Sequence, residues 1–265
     1  MALSSLLSTY DQVLLDLDGT VWLGDALIPG AADALAALRT AEKGIAFLTN
    51  DTARLPEEYV RKLWSLGLRA SAREVVSVGA AIQYLLAQRP APARTFVIGS
   101  PAIFRHVADS GQRIVNGTSR APEAELVVIA AHERFDYDEL RTATAAVIGG
   151  AEMIAAGRDA TYPSGDGLWP GTGAVVAALE YATGARAHSV GKPDPLIFET
   201  ASDRLGPGRK LMIGDRLDSD LDGAAAAGID CAIVLSGVTT RDQAGAVRQP
   251  EPVRVAEDLA TLVLG

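Results

Sequence analysis

The chain has 265 residues, 48% of them hydrophobic and 22% charged, with a formal net charge of -9. This is material for two domains of ordinary size and excludes a disordered chain. The acidic balance argues against nucleic acid or an anionic membrane as the main partner, because both reward a basic face.

Cys231 is the only cysteine, which rules out an internal disulfide and a cysteine-based zinc site. Lying in an apolar run, it reads as a buried, inert thiol. The first ten residues carry no positive charge, and nowhere do about 18 apolar residues run together. The expectation is a cytoplasmic protein.

The first element is the short apolar run Val13, Leu14 and Leu15, stopped by Asp16, Leu17, Asp18, Gly19 and Thr20. In a strand, side chains two apart share a face, so Asp16 and Asp18 are predicted to point into one space while Leu17 enters the core. Gly19 then allows a sharp turn, at the place where open α/β sheets bind their ligands. A helical stretch over 31–43 follows, closed by Gly44, and the apolar run 45–48 ends in Thr49, Asn50, Asp51 and Thr52. Pro56 opens another helix over 57–66. Strand, helix, strand, helix, with both strands ending in polar residues, builds a parallel sheet covered by helices and brings the polar ends to one edge.

From about Val78 the pattern restarts, with helices over 80–88, 101–110 and 137–148 and strands over 95–98, 126–130 and 153–155. A loop rich in Gly, Asp and Pro spans 157–173 and leads to a helix over 174–183. The first style then returns. Val190 leads into Gly191, Lys192, Pro193, Asp194 and Pro195, a helix covers 196–205, and the strand 210–213 ends in Gly214 and Asp215. A helical piece around 224–227 and a strand over 232–235 follow. The predicted fold class is α/β: one parallel-sheet domain from residues 1–77 and 188–265, with a second α/β domain, 78–187, inserted into it.

Several familiar sites are excluded by spacing. A calcium loop opening at Asp16 lacks its sixth-position Gly and twelfth-position Glu, and one opening at Asp218 meets Ile229 at the twelfth. Gly191 and Lys192 are not a nucleotide P-loop, because Pro193 stands where a hydroxyl must hold magnesium. Gly171, Thr172 and Gly173 lack the third glycine of a dinucleotide fingerprint. His106, His132 and His188 show no ligand spacing.

The strand ends collect Asp16, Asp18, Thr49, Asn50, Lys192, Asp215 and Asp220. In order and spelling this set resembles the haloacid dehalogenase superfamily of phosphotransferases. The strings 16–22, 191–195 and 214–220, with the large insertion between Thr49 and Lys192, are similar to its subfamily IIA, the nitrophenylphosphatase-like and glycerol-phosphate or phosphoglycolate phosphatases. The resemblance implies a Rossmann-like core with a cap domain over the site. It implies Asp16 as the nucleophile that forms an aspartyl phosphate, Asp18 as general acid and base, and Thr49, Asn50 and Lys192 as holders of the phosphoryl oxygens.

Carboxylates meeting at one edge repel by about 4 kcal/mol per close pair at an effective dielectric near 20, so a cation is expected. All-oxygen ligands suit Mg²⁺, held by the Asp16 carboxylate, the Asp18 main-chain carbonyl and Asp215, with Asp220 acting through water. Two positions depart from the family's spelling: Asp51 stands in place of a second asparagine and adds negative charge, and Gly157 replaces the asparagine before the loop. Tyr162, just before Pro163, occupies the position that touches the leaving group in the family.

The function implied is a Mg²⁺-dependent phosphatase acting on small sugar, polyol or carboxylic acid phosphates. The rivals are a phosphomutase and a non-catalytic phosphate-binding or signalling protein. The expected partners are a small phosphorylated metabolite and, by family habit, a second copy paired through the cap, with no nucleic acid and no membrane.

Overall fold

The run Val13, Leu14 and Leu15 forms the middle of a parallel sheet. In the computed structural model, which describes residues 2–164 and 167–265, the strand Gln12–Asp16 pairs with Lys210–Gly214 on one side and Gly44–Thr49 on the other. Asp230–Val234 and Arg254–Ala256 extend the sheet past Lys210–Gly214, and Val75–Ser77 extends it past Gly44–Thr49. All of these pairings are parallel. Such strands must be covered on both faces, which is why they read as unbroken apolar runs rather than alternating ones.

Val13, Leu14, Leu15, Phe47, Leu48, Leu211, Met212 and Ile213 are fully buried. Each such side chain contributes about 1.5–3 kcal/mol of burial. The helices Ala31–Thr40 and Leu259–Leu264 pack on each other, and Leu35, Leu38, Leu259 and Val263 join the same core as Val13 and Leu15. The helix Pro195–Leu205 begins three residues after Lys192. Its N-cap Asp194 accepts a hydrogen bond from the Leu196 N–H at 3.1 Å, and Pro195 fills the first position, where no N–H is needed.

The chain divides into two compact units: the residues up to Thr49 with Pro56–Ser77 and Lys192–Gly265, and Asn50–Leu55 with Val78–Gly191. The second unit therefore runs past the sequence-based boundary at residue 187. The reason is the two-residue strand His188–Ser189, too short to register as a periodic pattern, which pairs in parallel with Ile154 and Ala155. Its sheet has the order His188–Ser189, Glu152–Ala155, Leu126–Ile129, Arg94–Ile98 and Arg113–Ile114. The helix Tyr137–Ile148 starts at a capping box, with the Glu139 N–H donating to Asp136 Oδ1 at 2.9 Å and the Asp136 N–H donating to Glu139 Oε2 at 3.2 Å.

The stretch expected as a loop over 157–173 holds instead an antiparallel hairpin, Thr161–Ser164 with Gly167–Pro170, placing Tyr162 opposite Trp169. A smaller hairpin, Trp22–Leu23 with Ala26–Leu27, was not legible either, because two-residue strands leave no period to read. Among the described residues, no helix is long and apolar enough to cross a membrane.

Candidate active site

Three carboxylates and one lysine meet in the first unit, at the C-terminal ends of its strands. Asp16 ends the central strand, Asp215 follows the neighbouring strand Lys210–Gly214, and Asp220 returns on a wide helical turn, Leu217–Leu221. Oxygens of the three lie within 4.8 Å of one another, and all three residues are buried. Lys192, also buried, donates from Nζ to Asp16 Oδ1 and to Asp220 Oδ1, the latter at 2.7 Å. Thr49 ends the strand on the other side of Asp16, in register with Ser77, and is 5% exposed.

Asp220 was expected to reach a metal through water, yet most of its accepting capacity is used internally. Oδ1 takes the Lys192 ammonium, and Oδ2 takes the main-chain N–H groups of Asp215 at 3.1 Å and Arg216 at 3.0 Å. Its evident part is to fix Lys192 and the chain carrying Asp215. Asp215 is different. Its Oδ2 accepts from the Val238 N–H at 2.7 Å, while its Oδ1 is buried with no hydrogen-bond partner among the described residues.

Such an orphaned acceptor costs free energy unless something else engages it. Two glycines press against the same carboxylate on its Oδ2 side. A Cβ on Gly237 would stand 2.0 Å from Asp215 Oδ2, and one on Gly19, whose φ is +88°, would stand 2.4 Å away. Ser236 completes the enclosure by donating from Oγ to the Gly19 carbonyl at 2.7 Å.

Ser236, Gly237 and Val238 were missed by sequence reading. The signal was present: they follow the strand Asp230–Val234 at the same edge that yielded Asp16, Thr49 and Asp215. Asp18 was found, but its surroundings were not. The strand that carries Asp16 ends there, and the cluster of three carboxylates is formed by Asp16, Asp215 and Asp220. Asp18 is exposed, and its Oδ1 accepts from the Trp22 indole Nε1–H at 2.8 Å.

Asn50 and Asp51 follow Thr49 in the chain but belong to the second unit. The charge that Asp51 was expected to add is met locally. Its Oδ1 accepts from the Ala53 N–H at 2.7 Å, and Arg54 pairs with Oδ2 at 3.1 Å. In the same unit, half-buried Tyr162 has its ring centroid 6.4 Å from that of Trp169. The base of that hairpin is tied down by Arg158, which donates to Glu180 Oε1 at 2.8 Å and to the Ala187 carbonyl at 2.7 Å.

Charge decides what the cluster of acids can hold. Fully ionised, three carboxylates against one ammonium would leave two negative charges uncompensated in a buried space. Burial pushes the Asp16 carboxyl up to about 8, with Asp220 and Asp215 adding to the rise and Lys192 opposing it. Burial likewise raises Asp215 to about 6, against the Val238 N–H. For Lys192, burial pulls the ammonium down, but the Asp16 and Asp220 carboxylates more than offset it, and the amine stays protonated. Two missing positive charges, all-oxygen donors and the orphaned Asp215 Oδ1 together fit a divalent cation.

A pH dependence follows for the metal-free protein. The folded state keeps the Asp16 proton until about pH 8, whereas the unfolded chain releases it in the ordinary carboxylate range. Between the two values the unfolded state binds fewer protons, so stability is highest at the acid end and falls as pH rises through this window. In chelator, the thermal midpoint is expected to drop by on the order of 5 °C from about pH 5 to pH 8, and excess Mg²⁺ should remove most of that slope. Calorimetry at both pH values checks it, and a midpoint that rises with pH in chelator would contradict the cluster's electrostatics.

The family described as haloacid dehalogenase-like hydrolase matches residues 13–113, and a second, described as HAD-hydrolase-like, matches residues 189–262. The D-glycerol 3-phosphate phosphatase of Mycobacterium tuberculosis is 36% identical over 262 residues, covering 98% of this chain and 73% of that protein. The acid sugar phosphatase of Staphylococcus saprophyticus is 30% identical, over 89% of this chain and 91% of that one. The structure is similar to that of the M. tuberculosis glycerol phosphate phosphatase in complex with magnesium, with a TM-score of 0.88 and 34% identity over 98% of this chain and 78% of that one.

Proposed function

Because the chain belongs to the haloacid dehalogenase-like hydrolases, we propose that it is a Mg²⁺-dependent phosphatase that cleaves small phosphomonoesters through an aspartyl phosphate on Asp16. The observation that carries this reading is the pairing of a buried, lysine-bound Asp16 with an Asp215 whose Oδ1 has no partner. Mg²⁺ would be held by the Asp16 carboxylate, Asp215 Oδ1 and the Asp18 main-chain carbonyl. When bound, it offsets the negative charge of the cluster and of the incoming phosphate.

The chain's own residues then divide the work. Asp16 attacks phosphorus, splitting one hard displacement into two. Asp18 gives a proton to the departing alkoxide and takes one from the water that hydrolyses the intermediate. Lys192, fixed by Asp220, presents its ammonium beside the attacking oxygen and holds a phosphoryl oxygen by a charge-assisted bond, with Thr49 and Asn50 as further donors. The names of the relatives support glycerol phosphate and acid sugar phosphates as the substrate class.

The test is release of inorganic phosphate from a panel of polyol, sugar and carboxylic acid phosphates, with Mg²⁺ and with excess chelator. Turnover that survives chelation would defeat the metal assignment. Transfer of the phosphoryl group to a second hydroxyl of the substrate, without phosphate release, would favour a mutase. The same panel tests Tyr162 as the reader of the leaving group. Tyr162→Ala is expected to change the ranking of substrates by about 1–3 kcal/mol in kcat/KM, and a uniform loss would mean that Tyr162 only packs against Trp169.

A further inference from the structure

The hairpin directly after the proposed acid folds back so that one of its own residues binds that acid. Trp22 opens the hairpin, is 1% exposed, and donates from Nε1 to Asp18 Oδ1 at 2.8 Å. The indole is itself held in place. Lys62, on the helix Pro56–Ser65, places Nζ 4.4 Å from the centre of the Trp22 ring. The same Nζ donates to the Gly24 carbonyl at 2.8 Å and lies 3.6 Å from Asp25 Oδ1, both at the hairpin's turn. Burial and a cation above the ring thus fix the direction of the indole N–H.

An indole nitrogen can donate but cannot accept. The carbonyl oxygen of a carboxyl group is its better acceptor, so the indole bond to Oδ1 favours a proton held by Asp18 on the other oxygen, Oδ2. We infer that Trp22 is the positioning residue of the proton-transfer step and that Asp18 Oδ2 is the oxygen that exchanges the proton. The inference rests on the phosphatase reading given above. As the bond from phosphorus to the leaving oxygen breaks and the bond to Asp16 forms, the Oδ2 proton passes to the leaving oxygen and Oδ2 becomes anionic. As water attacks the aspartyl phosphate, Oδ2 takes the water's proton, Asp16 leaves as a carboxylate, and Asp18 is reset.

A positioning role can be told from a structural one through the leaving group. An alkoxide needs the proton, whereas 4-nitrophenolate departs without it. Trp22→Phe keeps a ring beneath Lys62 and removes only the donor. It is expected to lower kcat/KM for an alkyl phosphomonoester by about 10- to 100-fold, part of the usual range for general acid catalysis. For 4-nitrophenyl phosphate the loss should stay below about threefold.

In an Asp18→Asn background, Trp22→Phe should cost nothing further on the alkyl ester, because its effect runs through Asp18. Should the phenylalanine variant fail to fold, site-specific replacement of Trp22 by its benzothiophene isostere deletes the N–H and keeps the shape. Equal losses on the two esters, no loss on the alkyl ester, or an undiminished loss in the Asp18→Asn background would each overturn the assignment. Wild-type protein that hydrolyses neither ester with Mg²⁺ would remove the phosphatase premise, and the assignment with it. A wild type that hydrolyses both separates failure of the positioning role from failure of that premise.

Discussion

Asp16→Asn is expected to reduce turnover of every phosphomonoester by about 10⁴-fold or more while leaving the protein folded. An amide cannot attack phosphorus, and no other carboxylate can take over. Asp220 is spent on Lys192 and two main-chain N–H groups, and Asp215 is locked between Gly19 and Gly237. Stability should not suffer. The asparagine carbonyl can still accept from Lys192, and the substitution removes a carboxyl that burial has already pushed up to about 8. Rapid acid quenching with labelled substrate should trap a phosphoprotein in the wild type and none in the variant. Residual turnover near a tenth of the wild-type rate would sink the covalent mechanism.

Lys192→Met should act on stability as strongly as on activity. Methionine matches the length of the lysine stem but leaves Asp16 and Asp220 buried without their cation. Breaking a buried pair from one side typically costs about 3–5 kcal/mol, here a fall of about 10 °C in the thermal midpoint in chelator. The penalty should grow as pH rises past about 8, where Asp16 loses its proton and becomes a second buried charge beside Asp220. Mg²⁺ should restore part of the stability but not the activity, since phosphate loses a charged donor. A midpoint in chelator at neutral pH within a degree or two of the wild type would show that the three acids already share protons without help from Lys192.

The residues that ended strands were legible in the sequence for a geometric reason. Parallel strands place all their C-terminal ends on one edge, so Asp16, Thr49 and Asp215 could be grouped from their position after apolar runs alone. Asp220 was legible as an acid of the site, but its hydrogen bonds to the N–H groups of Asp215 and Arg216 were not, because the wide turn Leu217–Leu221 that folds it back has no readable period. Asp18 was legible as a residue, but the strand ends at Asp16, so period-two alternation said nothing of the hydrogen bond its side chain makes to Trp22. Trp22 and Lys62 left no trace in any periodic pattern. The bond that holds Asp18 depends on a hairpin of two-residue strands, and the cation over the indole comes from a helix more than thirty residues further along. The hairpin that carries Tyr162 was hidden by its own prolines and glycines, which spell a loop.

The strand order of the first unit also governs how this protein can be made. The central strand Gln12–Asp16 emerges early in synthesis, but the partner on one of its edges, Lys210–Gly214, is nearly two hundred residues away. Until that segment leaves the ribosome, an apolar strand with an open edge must wait, and such edges invite pairing with other chains. The intervening unit faces no such delay, because its own sheet is complete by Ser189 and draws on an almost continuous stretch of chain. Nascent chains of this protein should therefore carry a finished insertion inside an unfinished host, and the acids of the candidate site come together only in the last quarter of translation.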